Sequence, residues 1–165
     1  MMTFIPLNYL FLRFQVFKSV DPKRNSTLGT VYFVISCTLL CLTFHSGWER
    51  GFPRGNAYIG TCGIMGMAFG DSLANYIGRT FGRRYYRVYG NSVRTVEGSL
   101  AAFVAIFVAV YYTLELLTVN RFNSKISGAL VSASIGTLAE AVAPFGIDNL
   151  TVPLSISYCI WYLGY

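Results

Sequence analysis

The run from Gly98 to Thr118, GSLAAFVAIFVAVYYTLELLT, decides the fold. Its one carboxylate is Glu115, near the far end, and it contains no lysine or arginine. About 20 consecutive apolar residues suffice to cross the hydrocarbon of a bilayer. A crossing segment must pair its own backbone N–H and C=O groups, which leaves a helix or a strand of a closed barrel. Barrel strands alternate apolar and polar side chains, and this run does not, so it reads as a membrane helix.

Neighbouring segments follow the same pattern. Leu28 to Phe44 is a second clear span, and Ala57 to Ile77 is a third, with Gly60, Gly63, Gly66 and Gly70 at spacings that allow close helix approach in lipid. Ile126 to Ala143 is rich in Ala, Ser and Gly, and Asn149 to Tyr165 ends in aromatic residues suited to a membrane interface. Phe4 to Phe17 is shorter and interrupted by Pro6, Arg13 and Gln15, so it fits an interfacial or tilted helix as well as a crossing. The 165 residues are 54% hydrophobic and 12% charged, about half the charged fraction of a soluble domain. The expected fold is all-α: a polytopic transmembrane bundle of five to six membrane helices, with residues 1–165 forming a single integral membrane domain. Met1 to Leu12 lacks a small-residue cleavage site and is expected to be retained.

The formal net charge is +6. The basic residues lie in short connections, where membrane topology and lipid phosphates explain them more simply than nucleic acid, which is not expected as a partner. Cys37, Cys41, Cys62 and Cys159 lie inside apolar segments without metal-like pairing and read as small apolar residues. Lys18, Lys23 and Arg24 precede the Leu28 span, and Arg79, Arg83, Arg84, Arg87 and Arg94 separate the third and fourth segments. If the later segments each cross once, both groups share a side, and the positive-inside rule makes that side cytoplasmic. The membrane itself, plasma or organellar, is left open.

On that topology Asp71, Glu97, Glu140 and Asp148 converge on the face that carries the Arg-rich connection, and the connection from Gly78 to Val96 is long for a bundle. Carboxylates near a membrane are costly and are usually paired or functional. Facing a dense set of guanidinium groups, they suit Mg²⁺ with phosphate, the combination phosphoryl transfer needs. Interfacial salt bridges between the same groups account for the pattern equally well. Taken singly, Glu97 would complement the dipole of its helix, Asp148 would cap the next one, and Glu140 would pair with a loop arginine even in an inert protein.

The string Gly70-Asp71-Ser72-Leu73-Ala74-Asn75-Tyr76-Ile77-Gly78-Arg79-Thr80-Phe81-Gly82-Arg83 resembles the GDxxAxxxGrxxG run of the polyprenol kinase family. That family includes dolichol kinase, phytol kinase and the CTP-dependent diacylglycerol kinase. Downstream, Arg94-Thr95-Val96-Glu97-Gly98-Ser99 resembles its KSxEGS element, and Asp148-Asn149-Leu150-Thr151-Val152-Pro153 its DNLTVP element. Leu28-Gly29-Thr30-Val31-Tyr32-Phe33 is similar to the segment that precedes them.

The resemblance implies an enzyme that transfers a phosphoryl group from CTP or ATP to a lipid alcohol such as phytol, a polyprenol or diacylglycerol, with Mg²⁺ as cofactor. It implies Asp71, Glu97 and Asp148 as catalytic residues, and Asp71, Glu97, Glu140 and Asp148 as metal ligands. Arg79, Arg83, Arg84, Arg94, Thr95, Gly98 and Asn149 would bind the nucleotide, around a loop of residues 78–98. Two departures stand out. The family's Lys is Arg94 here, which keeps the charge and changes the geometry, and no counterpart of the family's N-terminal part is found. Arg94-Thr95-Val96-Glu97-Gly98 also resembles an element of phosphatidate cytidylyltransferase, whose HGG and DRxDS features are missing. A cytidylyltransferase-like enzyme and a non-catalytic membrane subunit or transporter are the alternatives, and a bundle this small could complete its lipid site with a second copy as a homodimer.

Overall fold

The structure, a computed structural model, describes residues 26–44, 56–87, 93–118, 125–144 and 146–164. Five helices occur among them: α1 (Ser26–Phe44), α2 (Ala57–Phe81), α3 (Val96–Leu117), α4 (Lys125–Val142) and α5 (Asp148–Tyr162). The candidate segment from Phe4 to Phe17 lies outside the described residues. α3, the helix of the decisive run, is long and apolar enough to cross a membrane, and Gly29–Phe44 in α1 is a shorter apolar stretch.

Helices α2 to α5 form a ring in which each packs on its sequence neighbour and α5 closes back on α2, while α1 lies outside against α5 and, more lightly, α2. Ile106, Val110 and Leu114 of α3 meet Ile156 and Ile160 of α5 at the centre, with Ala129 and Ala133 of α4 and Ile59 and Cys62 of α2 closing the core. The glycines of α2 make this possible. A Cβ on Gly63 would collide with the Ser157 hydroxyl and the Pro153 carbonyl of α5, and one on Gly70 would lie 2.8 Å from Ile106 Cγ1. Backbones approach where side chains are missing, and dispersion contacts replace them. Ser157 also donates to the Ile59 carbonyl at 2.9 Å, joining α5 to α2. At the far end Lys125 and Glu115 form an ion pair at 2.8 Å between the start of α4 and the end of α3, away from the acidic cluster.

The outward faces are apolar on every helix. Leu100, Val104, Val108, Tyr112 and Leu116 run down α3 one turn apart, all exposed, and Leu42 on α1, Phe69 on α2, Leu138 on α4 and Trp161 on α5 are exposed as well. Contiguous apolar surface on this scale marks contact with another molecule or with lipid. The threonines on the outer face of α1 satisfy their own hydroxyls, Thr38 donating to Val34 O and Thr43 to Leu39 O, both at 2.8 Å.

The connection between α2 and α3 differs from the expected loop. Its first residues belong to α2, which continues to Phe81, and its end starts α3 at Val96. Between them an antiparallel hairpin pairs β1 (Tyr85–Arg87) with β2 (Val93–Thr95), in the register Tyr85↔Thr95, Tyr86↔Arg94 and Arg87↔Val93. The all-α expectation therefore holds for the bundle and misses this ribbon, whose three-residue strands are too short to show a period of two.

Candidate functional site

The ribbon delivers Arg94 to the end of the bundle where α4 finishes and α5 begins. Arg94 Nη2 lies 2.6 Å from Asp148 Oδ2 and Nη1 lies 3.2 Å from Glu140 Oε1. The side chains of Glu140 and Asp148 are only 8% and 5% exposed, and that of Arg94 is 18% exposed. One guanidinium fork thus spans two helices in a largely dry setting, the geometry for which arginine is better built than lysine. Burial alone would lower the pKa of Arg94. The hydrogen bond and charge of Asp148, with the charges of Glu140 and Asp71, outweigh it and raise the value above that of an ordinary arginine. The charges of three carboxylates, those of Asp71, Glu140 and Asp148, thus bear on this one guanidinium.

Asp71 sits half-buried on α2, where its Oδ1 accepts from Asn75 Nδ2 at 2.8 Å. The same amide reaches the Asp71 carbonyl at 2.9 Å. Asp148 opens α5 and accepts from the Asn149 N–H at 3.0 Å through Oδ1, leaving Oδ2 for Arg94. The pairing of Glu140 with a loop arginine, one of the two readings of that residue, is what the structure shows.

Glu97 turns away from this cluster to the base of the ribbon. Both of its carboxylate oxygens lie 3.3 Å from the Arg84 N–H, so it ties the start of β1 to the first turn of α3. Thr95 caps α3 by accepting from the Gly98 N–H at 3.2 Å. A Cβ on Gly98 would come within 3.0 Å of Ala74 O, and one on Gly78 within 2.7 Å of Thr95 Oγ1. Thr95, Gly98 and Gly78 therefore form the joint at which α2, α3 and the ribbon meet. Arg79, Arg83 and Arg84 are exposed around that joint.

Sequence reasoning overlooked several partners. Tyr86, opposite Arg94 in the ribbon, holds its hydroxyl 2.6 Å from Ser99 Oγ. Ser36 of α1 is fully buried and donates toward Asn149 O at 3.0 Å. Gly29 seats against Asn149 Nδ2 and against Gly146, which adopts a φ of 82° in the turn before α5. Pro153 inside a helix was the available signal, because it implies a carbonyl four residues earlier in need of a donor.

Among the described residues no three His, Cys, Asp or Glu side chains gather closely enough to hold a metal ion by themselves. The donor set at the cluster is nevertheless all oxygen, which suits a hard cation. Mg²⁺ commonly binds through one or two carboxylates plus substrate phosphates, so a ready-made protein cage is not required of such a site.

Phytol kinase of Synechocystis sp. is 31% identical over 160 residues, covering 94% of this chain and 63% of the relative. CTP-dependent diacylglycerol kinase 1 of Schizosaccharomyces pombe is 24% identical over 151 residues, 87% of this chain and 63% of its own. Dolichol kinase of Saccharomyces cerevisiae is 28% identical over 99 residues, 59% of this chain and 18% of its own. The chain thus spans just under two thirds of the first two relatives. No family model matches it. No solved structure matches it either.

Proposed function

The chain is a homologue of the polyprenol kinase family's lipid-alcohol kinases, and on that premise we propose that it transfers a phosphoryl group from CTP or ATP to a membrane lipid hydroxyl. The observation that carries the reading is the buried Arg94–Glu140–Asp148 cluster, set at one end of a bundle whose sides are apolar. Such a bundle suits a bilayer around all five helices, with the charged end at the cytoplasmic surface and residues 1–165 acting as one domain. A long-chain alcohol would lie along the apolar sides and present its hydroxyl to the charged end. Phytol, a polyprenol and diacylglycerol are the candidates, and the name of one relative supports CTP as donor.

In this reading the segment 78–98 receives the nucleotide. Arg79, Arg83 and Arg84 meet its phosphates, Thr95 and Gly98 shape the joint beneath it, and Asn149 binds the nucleotide beside the transferring phosphoryl group. Asp148 takes the proton from the lipid hydroxyl as that oxygen bonds to the γ-phosphorus and the nucleoside diphosphate leaves. One or two of Asp71, Asp148 and Glu140 would hold Mg²⁺ together with the nucleotide phosphates, with Glu97 at the ribbon's base, and the ion would supply charge neutralisation on the phosphates.

The test is purified protein in liposomes with Mg²⁺, γ-labelled CTP or ATP and each of the three alcohols, beside Asp71→Asn. Label on one alcohol, abolished in the variant, is the expected result. Formation of a CDP-lipid with release of pyrophosphate would replace the kinase by a cytidylyltransferase. Absence of any transfer from folded wild-type protein would reject both enzymes.

A further inference from the structure

Pro153 lies in the second turn of α5, and it has no N–H. In a regular helix that N–H would bond to the carbonyl four residues earlier, which belongs to Asn149. Asn149 directly follows Asp148, and its carbonyl is the one toward which Ser36 Oγ of α1 reaches, at 3.0 Å. The same hydroxyl lies 2.9 Å from Phe33 O in its own helix, so its single proton is shared between two carbonyls. Ser36 is fully buried. The other end of Asn149 is held by α1 too, since a Cβ on Gly29, two turns before Ser36, would stand 2.8 Å from Asn149 Nδ2. One residue of α5 is gripped by two positions of α1 at the point where the helix lacks a bond of its own.

We propose that Ser36 is a positioning residue for the site: its hydroxyl replaces the missing Pro153 N–H and thereby fixes the first turn of α5 that aims Asp148. α1 carries none of the charged residues of the site, and its part in the chemistry is to hold that turn. The inference rests on the lipid-kinase reading for its kinetic consequence and on geometry alone for its structural one.

Three variants test it: Ser36→Ala, Pro153→Ala and the two combined. Ser36→Ala leaves the Asn149 carbonyl without the donor from α1, and kcat is expected to fall about tenfold or more while KM for the nucleotide stays within about twofold. Pro153→Ala restores a backbone N–H at that place and alone leaves kcat within about twofold. Combined with Ser36→Ala, it should recover most of the loss, because the carbonyl regains a partner from within its own helix. Hydrogen exchange of the amides in 146–152 provides a second readout, faster in Ser36→Ala and restored in the double variant. Wild-type exchange and kinetics in Ser36→Ala would overturn the proposal. A loss that Pro153→Ala does not rescue would overturn it as well, since a mere cavity at position 36 cannot be repaired from position 153. If the wild-type protein transfers no phosphoryl group, the kinase reading fails and the exchange data alone decide the role of Ser36.

Discussion

Replacing Arg94 with methionine keeps most of its aliphatic bulk and removes the charge that Asp148 and Glu140 face at 2.6 and 3.2 Å. Both carboxylates are less than a tenth exposed, so neither can recover its hydration without moving. Removing one partner of a buried ion pair in this way typically costs about 3–5 kcal/mol. A chain of this size loses about 2–4 °C of melting temperature per kcal/mol, so a fall of roughly 6–20 °C is expected. Arg94→Lys keeps the charge but gives up one arm of the fork. Losing one charge-assisted hydrogen bond of about 1.5–3 kcal/mol gives a smaller fall, roughly 3–12 °C. The assay is thermal unfolding in detergent in a background where the exposed Cys41 and half-buried Cys159 are replaced by alanine, followed by a maleimide dye that reports exposure of the buried thiols of Cys37 and Cys62. Adding Glu140→Gln to Arg94→Met removes one of the two buried carboxylate charges that faced the lost guanidinium and should raise the melting temperature again. An Arg94→Met protein that melts within about 2 °C of wild type, with no gain from Glu140→Gln, would refute the view that this cluster holds the end of the bundle together.

Three further outcomes are expected. Gly63→Ala drives a methyl group into the backbone of Pro153 and should destabilise by about 1–3 kcal/mol, whereas Gly60→Ala, whose nearest neighbour is Leu40 at 3.6 Å, should be neutral or slightly stabilising in the same melting assay. Tyr86→Phe removes the 2.6 Å contact with Ser99 and should cost about 0.5–1.5 kcal/mol, with faster proteolysis of the ribbon as the more sensitive readout. Glu97→Gln weakens the tether to the Arg84 N–H, so limited proteolysis between Gly82 and Thr95 should quicken while the helical circular-dichroism signal stays unchanged.

The helices were legible in the sequence because each is a predominantly apolar run whose few charged residues sit mostly near its ends. Ala57–Ile77 became Ala57–Phe81, and Gly98–Thr118 became Val96–Leu117. The small-residue face of α2 could also be read, since glycines three and four apart have few other uses in an apolar helix. That Asp71, Glu97, Glu140 and Asp148 share the end of the bundle that carries the arginines followed from counting helix directions, a rule that needs only alternation; the choice of Arg94 did not. Glu97 shows where counting stops: it lies at the same end, yet its carboxylate bonds the backbone of Arg84. Which acid faces which base depends on the rotation of each helix about its axis, and amphipathicity reports that rotation poorly when both core and surface are apolar. The contact between Ser36 and Asn149 joins residues 113 positions apart and leaves no local mark apart from Pro153.

Arg94 finds its carboxylates 46 and 54 positions later in the chain. A ribosome adds about 5–20 residues per second. For several seconds of synthesis, then, α2, the ribbon and α3 exist with a guanidinium that has Asp71 near it but not yet the two carboxylates it bonds. The closing of that end of the bundle is thus a late event in biogenesis, and α5 is the part whose arrival completes it. A chain truncated before Asp148 and released from the ribosome should offer Arg94 to anionic headgroups or to a chaperone more readily than the full chain does.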